Sequence, residues 1–357
     1  MAFGGKTLRH FVIYLILVYL VLFLAVLNRE SKKESFEVSQ SVRVFAYSSF
    51  TSITGPGPKL KALFELSCNC RLEFVEGNDA GMLLQRLKLE SESLGADLVI
   101  GFDQYDLQKA LGEHKWRKLD FSNLNIEPEV RPALSNNYFV PYDWGVLGFI
   151  ARKGELKLTP KKLDDLLHSE FTRKIALQDP RSSSPGMQFL FWVIKSKGEE
   201  EGLRFIQKMF DQAHSYSPSW SLSYGLFQKK QASLVYSYLT SPLYHELIEN
   251  DPSYEALSFA EPLAIQYEFL GIPEYCKQCE LAEKFVNLML SPEGQKILME
   301  KNFMFPVLKD VKKGTPFQAL NDKLIKDKSL MSFEIPSNTD IDRLLLRWSE
   351  LRRGEKN

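Results

Sequence analysis

The residues with the most evident capacity for chemistry are Gln178-Asp179-Pro180-Arg181-Ser182-Ser183-Ser184-Pro185-Gly186, where turn-forming residues frame three hydroxyls just before the apolar run 187–194. They read as a loop feeding a helix. The first N–H groups of a helix have no internal partner and the helix dipole is positive there, so such a terminus can hold an anionic group, with Ser hydroxyls as further donors. Plain capping by Ser with Pro in the first turn would use the same residues.

Little else looks reactive. His10, His114, His168, His214 and His245 fall in no metal-ligand or triad spacing, and the phosphate-loop, HExxH and GxSxG patterns are absent, so no enzyme and no cofactor is expected. The four cysteines form Cys68-x-Cys70 and Cys276-x-x-Cys279. Two local disulfides are the first reading in an exported protein. A four-thiolate zinc site and a CxxC redox centre are the alternatives, and three pairings exist in principle.

Export is indicated by the N-terminus. Residues 11–27 are an uninterrupted apolar run of 17, preceded by Lys6, Arg9 and His10 and followed by the polar stretch 28–40. That length is near the lower end for a membrane-spanning helix, about 17–25 residues, and exceeds the ~7–15 of a cleaved signal core. No small-x-small site follows. An uncleaved signal anchor is therefore expected, with residues 1–10 cytoplasmic, 11–27 in the inner membrane, 28–40 a linker and the body in the periplasm; a cleaved signal and a soluble periplasmic protein is the alternative. The chain has 357 residues, 44% of them hydrophobic, with 45 basic and 45 acidic side chains. This is enough for two domains of ordinary size. The even charge balance and the lack of a basic stripe argue against nucleic acid as a partner.

The elements that must position these groups begin with a strand at 42–47, a loop through Gly55-Pro56-Gly57-Pro58, a helix from 59, a strand at 71–76, a helix over 82–94 and a strand at 96–101. The order strand, helix, strand, helix, strand predicts a parallel sheet, with ligand groups at the carboxyl ends of its strands, where Asp79 and Asp103 fall. A second unit starts near Phe139-Val140-Pro141-Tyr142-Asp143, with strands at 146–151, 174–177 and 233–239. Helices follow at 280–290 and from Ser291, and 343–351 is a closing amphipathic helix.

Taken together, several stretches resemble one family. Gly55-Pro56-Gly57-Pro58, Cys68-Asn69-Cys70, Ala96-Asp97 with Gly101-x-Asp103, Phe139-Val140-Pro141-x-Asp143, Gln178-Asp179-Pro180-Arg181, Trp220-Ser221 with Tyr224-Gly225-Leu226-Phe227, and Ser237-Tyr238 with Thr240-Ser241-Pro242 and Tyr244-His245 are similar to the periplasmic thiamine-binding proteins of bacterial ABC importers. The resemblance runs from about residue 42 to 308. It implies an α/β, two-lobed periplasmic-binding fold of type II, each lobe a mixed or parallel sheet flanked by helices, closing on its ligand. Lobe 1 would be 41–140 and 256–357, lobe 2 would be 141–255, and the N-terminal hydrophobic anchor helix would precede them.

The resemblance further implies capture of thiamine, a thiamine phosphate or a related heterocycle for an ABC permease. A membrane-anchored sensor, or a carrier of a different solute such as a metal or anion, is the alternative. Carried over by position, the ligand contacts are Tyr47, Asp79, Ser183, Trp220, Tyr238 and Tyr244, with Thr54, Asp103, Asp143, Ser182, Tyr224 and Phe303 as further candidates. Thiamine joins a flat pyrimidine to a cationic thiazolium, which aromatic faces attract. Ser183 and the helix N-terminus would hold its hydroxyl or phosphate tail. The chain departs from the pattern at Ser48, at Ile53-Thr54 and at Phe303, which removes one aromatic wall and two carboxylates from the implied site.

Overall fold

The computed structural model describes residues 10, 16–21, 23, 40–77, 79–134, 136–326, 330, 331 and 336–354. Two compact units are present, Met1–Ser39 and Gln40–Asn357. Most of the expected anchor at 11–27 lies outside the described residues. No helix among the described residues is long and apolar enough to cross a membrane.

The second unit is built on one sheet, which among the described residues has ten strands in the order β2-β1-β3-β9-β4-β7-β5-β6, with β8 and β10 pairing β4. Its first end follows the expected pattern. β1 (Ser41–Tyr47), β2 (Arg71–Gly77) and β3 (Leu98–Asp103) are parallel, joined by helix α1 (Gly57–Cys68) and helix α2 (Ala80–Glu90). Helix α1 begins earlier than the Gly-Pro repeat suggests. Pro58 lies in its first turn, where a missing N–H costs nothing. A short helix α3 (Leu107–Glu113) follows β3.

β4 (Phe139–Arg152) is the long strand of the molecule. Its early residues pair antiparallel with β9 (Ala264–Gly271), while Leu147 to Ala151 pair with β7 (Leu234–Tyr238) at the other end of the sheet. The expected boundary at 140/141 therefore falls inside a continuous strand. Beyond β7 lie β5 (Ile175–Gln178) and β6 (Ala213–Ser217), parallel to each other, with helix α4 (Ser184–Lys197), helix α5 (Glu199–Gln212) and helix α6 (Trp220–Gln228) packed around them. β8 (Tyr254–Ala256) follows α6 and β7 and adds to the edge of β4. The chain then returns through β9 to the first end, adding helix α7 (Cys279–Met289), helix α8 (Pro292–Asn302), β10 (Phe305–Pro306) and helix α9 (Pro316–Lys326).

Two buried clusters fill the interior, the first centred on the β1–β3 end but reaching Tyr224 and Phe227 of α6 and Val235 of β7. One collects Val44, Phe50, Phe64, Phe102 and Phe139 with Phe285 and Leu298; the other collects Phe149, Leu177, Trp192, Ile206 and Tyr236. The last helix, α10 (Asn338–Arg353), belongs to the second cluster, not to the first where the assignment of 256–357 put it. Trp348 meets Phe210 and Tyr216 edge to face, Arg343 and Arg347 pair with Glu199 and Glu200, and Arg352 with Asp179. Sequence order placed this helix in the wrong half because its apolar stripe says only that it packs, not on what.

Cys68 is bonded to Cys70 and Cys276 to Cys279. Buried Asp97 accepts the backbone N–H groups of Lys277, Gln278 and Arg43, which pins the second cysteine turn to β1.

Candidate functional site

A cleft of about 590 Å³ opens where the two ends of the sheet meet. Its floor is β9, which brings Gln266 and Glu268 to the same side by the two-residue period of a strand. Glu268 is 4% exposed. Tyr47 Oη and Tyr142 Oη each donate to its Oε2 at 2.6 Å, and Tyr238 Oη and Gln266 Nε2 donate to Oε1 at 3.4 Å. Tyr47 can reach it because Gly101 has φ +111°, a conformation favouring glycine, and a Cβ there would stand 2.3 Å from the Tyr47 ring.

Electrostatics follow from burial. Burial raises the Glu268 carboxyl above the ordinary carboxylate range, against the lowering effect of the tyrosine hydroxyls. The three phenols are pushed up in turn, by burial first and by the Glu268 charge next, so they remain neutral donors at neutral pH. Asp143, opposite Glu268 in the β4–β9 register, is raised well above its usual value by burial and then by Glu268. Asp79 is raised to about 6 by burial, opposed by the N–H groups of Trp220 and Ala80, which reach its carboxylate at 2.8 and 2.6 Å. Among the described residues, no Lys or Arg pairs with Asp79, Asp103, Asp143 or Glu268. Buried negative charge without a basic partner is an arrangement that a cation would complete.

The walls are aromatic. Trp220 opens α6 and stacks on Tyr224, with centroids 5.1 Å apart and 25° between planes, while its Nε1 donates to Ser237 Oγ at 2.9 Å. Tyr224 shares a 2.8 Å hydrogen bond with His245 Nε2, whose other nitrogen meets Glu249. Across the cleft Tyr244 and Phe303 meet edge to face at 5.2 Å.

Of the residues expected here, Tyr47, Thr54, Asp79, Trp220, Tyr224, Tyr238, Tyr244 and Phe303 line the cleft. Four do not. Ser183 is buried behind Asp79 and lines a separate cavity of about 330 Å³ together with Asp103. Asp103 is turned back on its own chain, accepting the Tyr105 N–H at 2.7 Å. Ser182 donates to the Pro218 carbonyl, and Asp143 lies beneath Glu268 without reaching the cleft. The α4 N-terminus thus stands beside the protein's own carboxylates, while its first residues, Ser184 and Pro185, line the cleft. Ile53 is 94% exposed and faces away.

Glu268, Gln266, Asn302, Glu76, Lys301 and Ser241 line the cleft without having been expected. A signal existed in Gln266-Tyr267-Glu268-Phe269, polar residues at every second position of an otherwise apolar run. Glu268 and Glu76 both supply carboxylates to the cleft.

Residues 95–328 match the family of bacterial extracellular solute-binding proteins. The thiamine-binding periplasmic protein of Salmonella typhimurium is 37% identical over 277 residues, covering 78% of this chain and 84% of that protein. Its counterpart in Brucella abortus is 35% identical over 305 residues, covering 85% and 90%. Among solved structures, a periplasmic thiamin binding protein superposes with a TM-score of 0.78 at 33% identity, covering 89% of this chain and 96% of that one.

The raised Asp79 carboxyl has a consequence for stability. A carboxyl whose pKa is higher folded than unfolded binds more protons in the native state, so stability falls as pH rises from about 4 to about 6. Replacing Asp79 with Asn removes that loss. Urea unfolding at both pH values should show the variant gaining on the wild type by about 2 kcal/mol across the interval; parallel curves would contradict the assigned environment.

Proposed function

The chain belongs to the bacterial extracellular solute-binding proteins, with the type II periplasmic-binding fold, and we propose that it captures thiamine or a thiamine phosphate and delivers it to an ABC permease. The observation that carries this is the pairing of an aromatic cleft with the buried Glu268 carboxylate. A thiazolium bears a permanent positive charge that cannot be neutralised by losing a proton, so it needs a fixed counter-charge. Glu268 supplies one, and Trp220, Tyr224, Tyr238 and Tyr244 offer faces to the two rings. Asp79 and the Trp220 N–H already bridge the two ends of the sheet.

The two ends act as lobes, with β4 and β9 as the crossing strands. Lobe 1 is carried by β1, β2, β3 and helices α1, α2, α7 and α8, and lobe 2 by β5, β6, β7, helices α4 to α6 and α10. Ligand joins the lobes, and the closed population docks on the permease. The apolar run 11–27 holds the protein at the inner membrane with its body in the periplasm, and the protein is not an enzyme.

Calorimetric titration of Gln40–Asn357 with thiamine tests the assignment. Binding should be weakened about 10- to 100-fold by Glu268→Gln, through loss of a charge-assisted contact, and about 5- to 30-fold by Trp220→Ala, through loss of a ring face. An unchanged affinity in both variants would overturn it. For the anchor, the full-length protein should stay in the membrane pellet after a high-pH wash; release into the supernatant would mean residues 11–27 do not hold it.

A further inference from the structure

Asp143 and Glu268 are direct cross-strand partners of β4 and β9, and both side chains are out of water, at 0% and 4% exposure. Directly opposed residues of an antiparallel pair put their side chains on one face, with Cβ atoms about 4.5–5.5 Å apart. Two ionised carboxylates so placed repel one another with little solvent to screen them, and burial penalises each charge separately. The relief is one shared proton.

The bonding around the pair says which group holds it. Glu268 accepts from four donors, two of them phenols at 2.6 Å, so it is the carboxylate. Asp143 accepts from one, Asn302 Nδ2 to Oδ2 at 2.7 Å. Its Oδ1 is buried with no hydrogen-bond partner among the described residues. An acceptor left bare at that depth is costly, whereas a protonated oxygen there would be a donor beside the Glu268 carboxylate.

Neighbouring elements leave that assignment standing. From β1, β4 and β7 the pair is faced by Tyr47, Tyr142 and Tyr238, neutral phenols near pH 7. Asp79 at the start of α2 and Asp103 at the end of β3 add negative charge that reaches Glu268. From α8 come neutral Asn302 and, at the cleft lining, Lys301, which makes no ion pair with either carboxylate among the described residues.

We infer that Asp143 carries a proton in the empty cleft, donated to Glu268, and that a cation entering the cleft competes with that proton. The first half stands on the geometry alone; the second rests on the cation-binding reading. When the proton leaves, the Asp143 O–H bond breaks with its electron pair remaining on oxygen and the proton passes to water. Nothing is oxidised or reduced. Asp143 thereby tunes the charge of the site: the protonated pair carries one negative charge and the deprotonated pair two, so a cation favours the second. Affinity for a cation should rise with pH through the range in which Asp143 deprotonates, by up to about tenfold per unit.

Infrared spectroscopy of the full-length protein at pH 7.5, without ligand, tests the first half. A protonated carboxyl has a carbonyl stretch well separated from carboxylate bands. Asp143→Asn should remove one such band from the native spectrum. Asp106, another carboxyl raised by burial, is the control: any band it contributes is removed by Asp106→Asn and untouched by ligand. A spectrum that Asp143→Asn leaves unchanged overturns the inference.

A second readout needs no variant. Thiamine should diminish the Asp143 band of the native protein, and calorimetry in two buffers of unlike ionisation enthalpy should report proton release. Asp79 and Asp103, raised to about 6, are already largely ionised at pH 7.5 and contribute little. Measurable binding with neither band loss nor buffer dependence overturns the competition. No heat with thiamine at all would sink the ligand reading instead, and the ligand-free spectra then decide the inference by themselves.

Discussion

A carboxylate buried in the middle of a sheet is expensive, and the architecture of this cleft follows from making Glu268 tolerable there. Burial of an isolated ion costs several kcal/mol even after relaxation, and that cost falls only when donors fill its lone pairs. Three tyrosines and a glutamine do so here, drawn from four strands. Because β1, β4, β7 and β9 must all present a side chain to one point, their register and the passage of β4 between the two ends of the sheet are fixed together. Neutral donors stabilise the charge without cancelling it, and the field is left for whatever enters.

The same requirement explains local choices that seem unrelated. Gly101 has no side chain because the Tyr47 ring occupies that space on its way to Glu268. Gly55 is equally constrained, since a Cβ there would lie 2.2 Å from the Ser49 carbonyl, in the loop that carries Thr54 to the cleft. Beneath the floor, Asp143 sits on the strand that joins the two ends, so the charge state of the site and the backbone that must flex for closure share one residue. On the far wall a hydrogen-bonded series from Trp220 through Ser237 to Ser241 fixes the indole edge, while Tyr224, His245 and Glu249 hold the ring behind it.

Much of this was legible in the chain. The parallel strands 42–47 and 71–76 and the helices between them announce themselves by periodicity, and eight of the twelve candidate ligand residues, from Tyr47 to Phe303, do line one cleft. What was hidden was hidden for physical reasons. β9 is buried along its whole length, so the alternation of Gln266 and Glu268 with Tyr267 and Phe269 does not mark a solvent face, and Glu268 looks like an interruption instead of a floor. The burial of Ser183 could not be read from the chain, because a helix N-terminus attracts anions of any origin, and here the protein's own Asp79 and Asp103 stand beside it. Helix α10 shows the limit of sequence order: Trp348 packs on Phe210 and Tyr216, contacts that no local pattern encodes.

The claim on which the rest depends is that Glu268 selects for positive charge. Its most direct test compares two ligands of one shape, thiamine and the analogue in which the quaternary ring nitrogen is replaced by carbon, in native protein and in Glu268→Gln. The account predicts that native protein prefers thiamine by about tenfold or more, as a charge-assisted contact of about 1.5–3 kcal/mol would give, and that the variant loses most of this preference. Equal affinity for the charged and neutral ligands in native protein would contradict it.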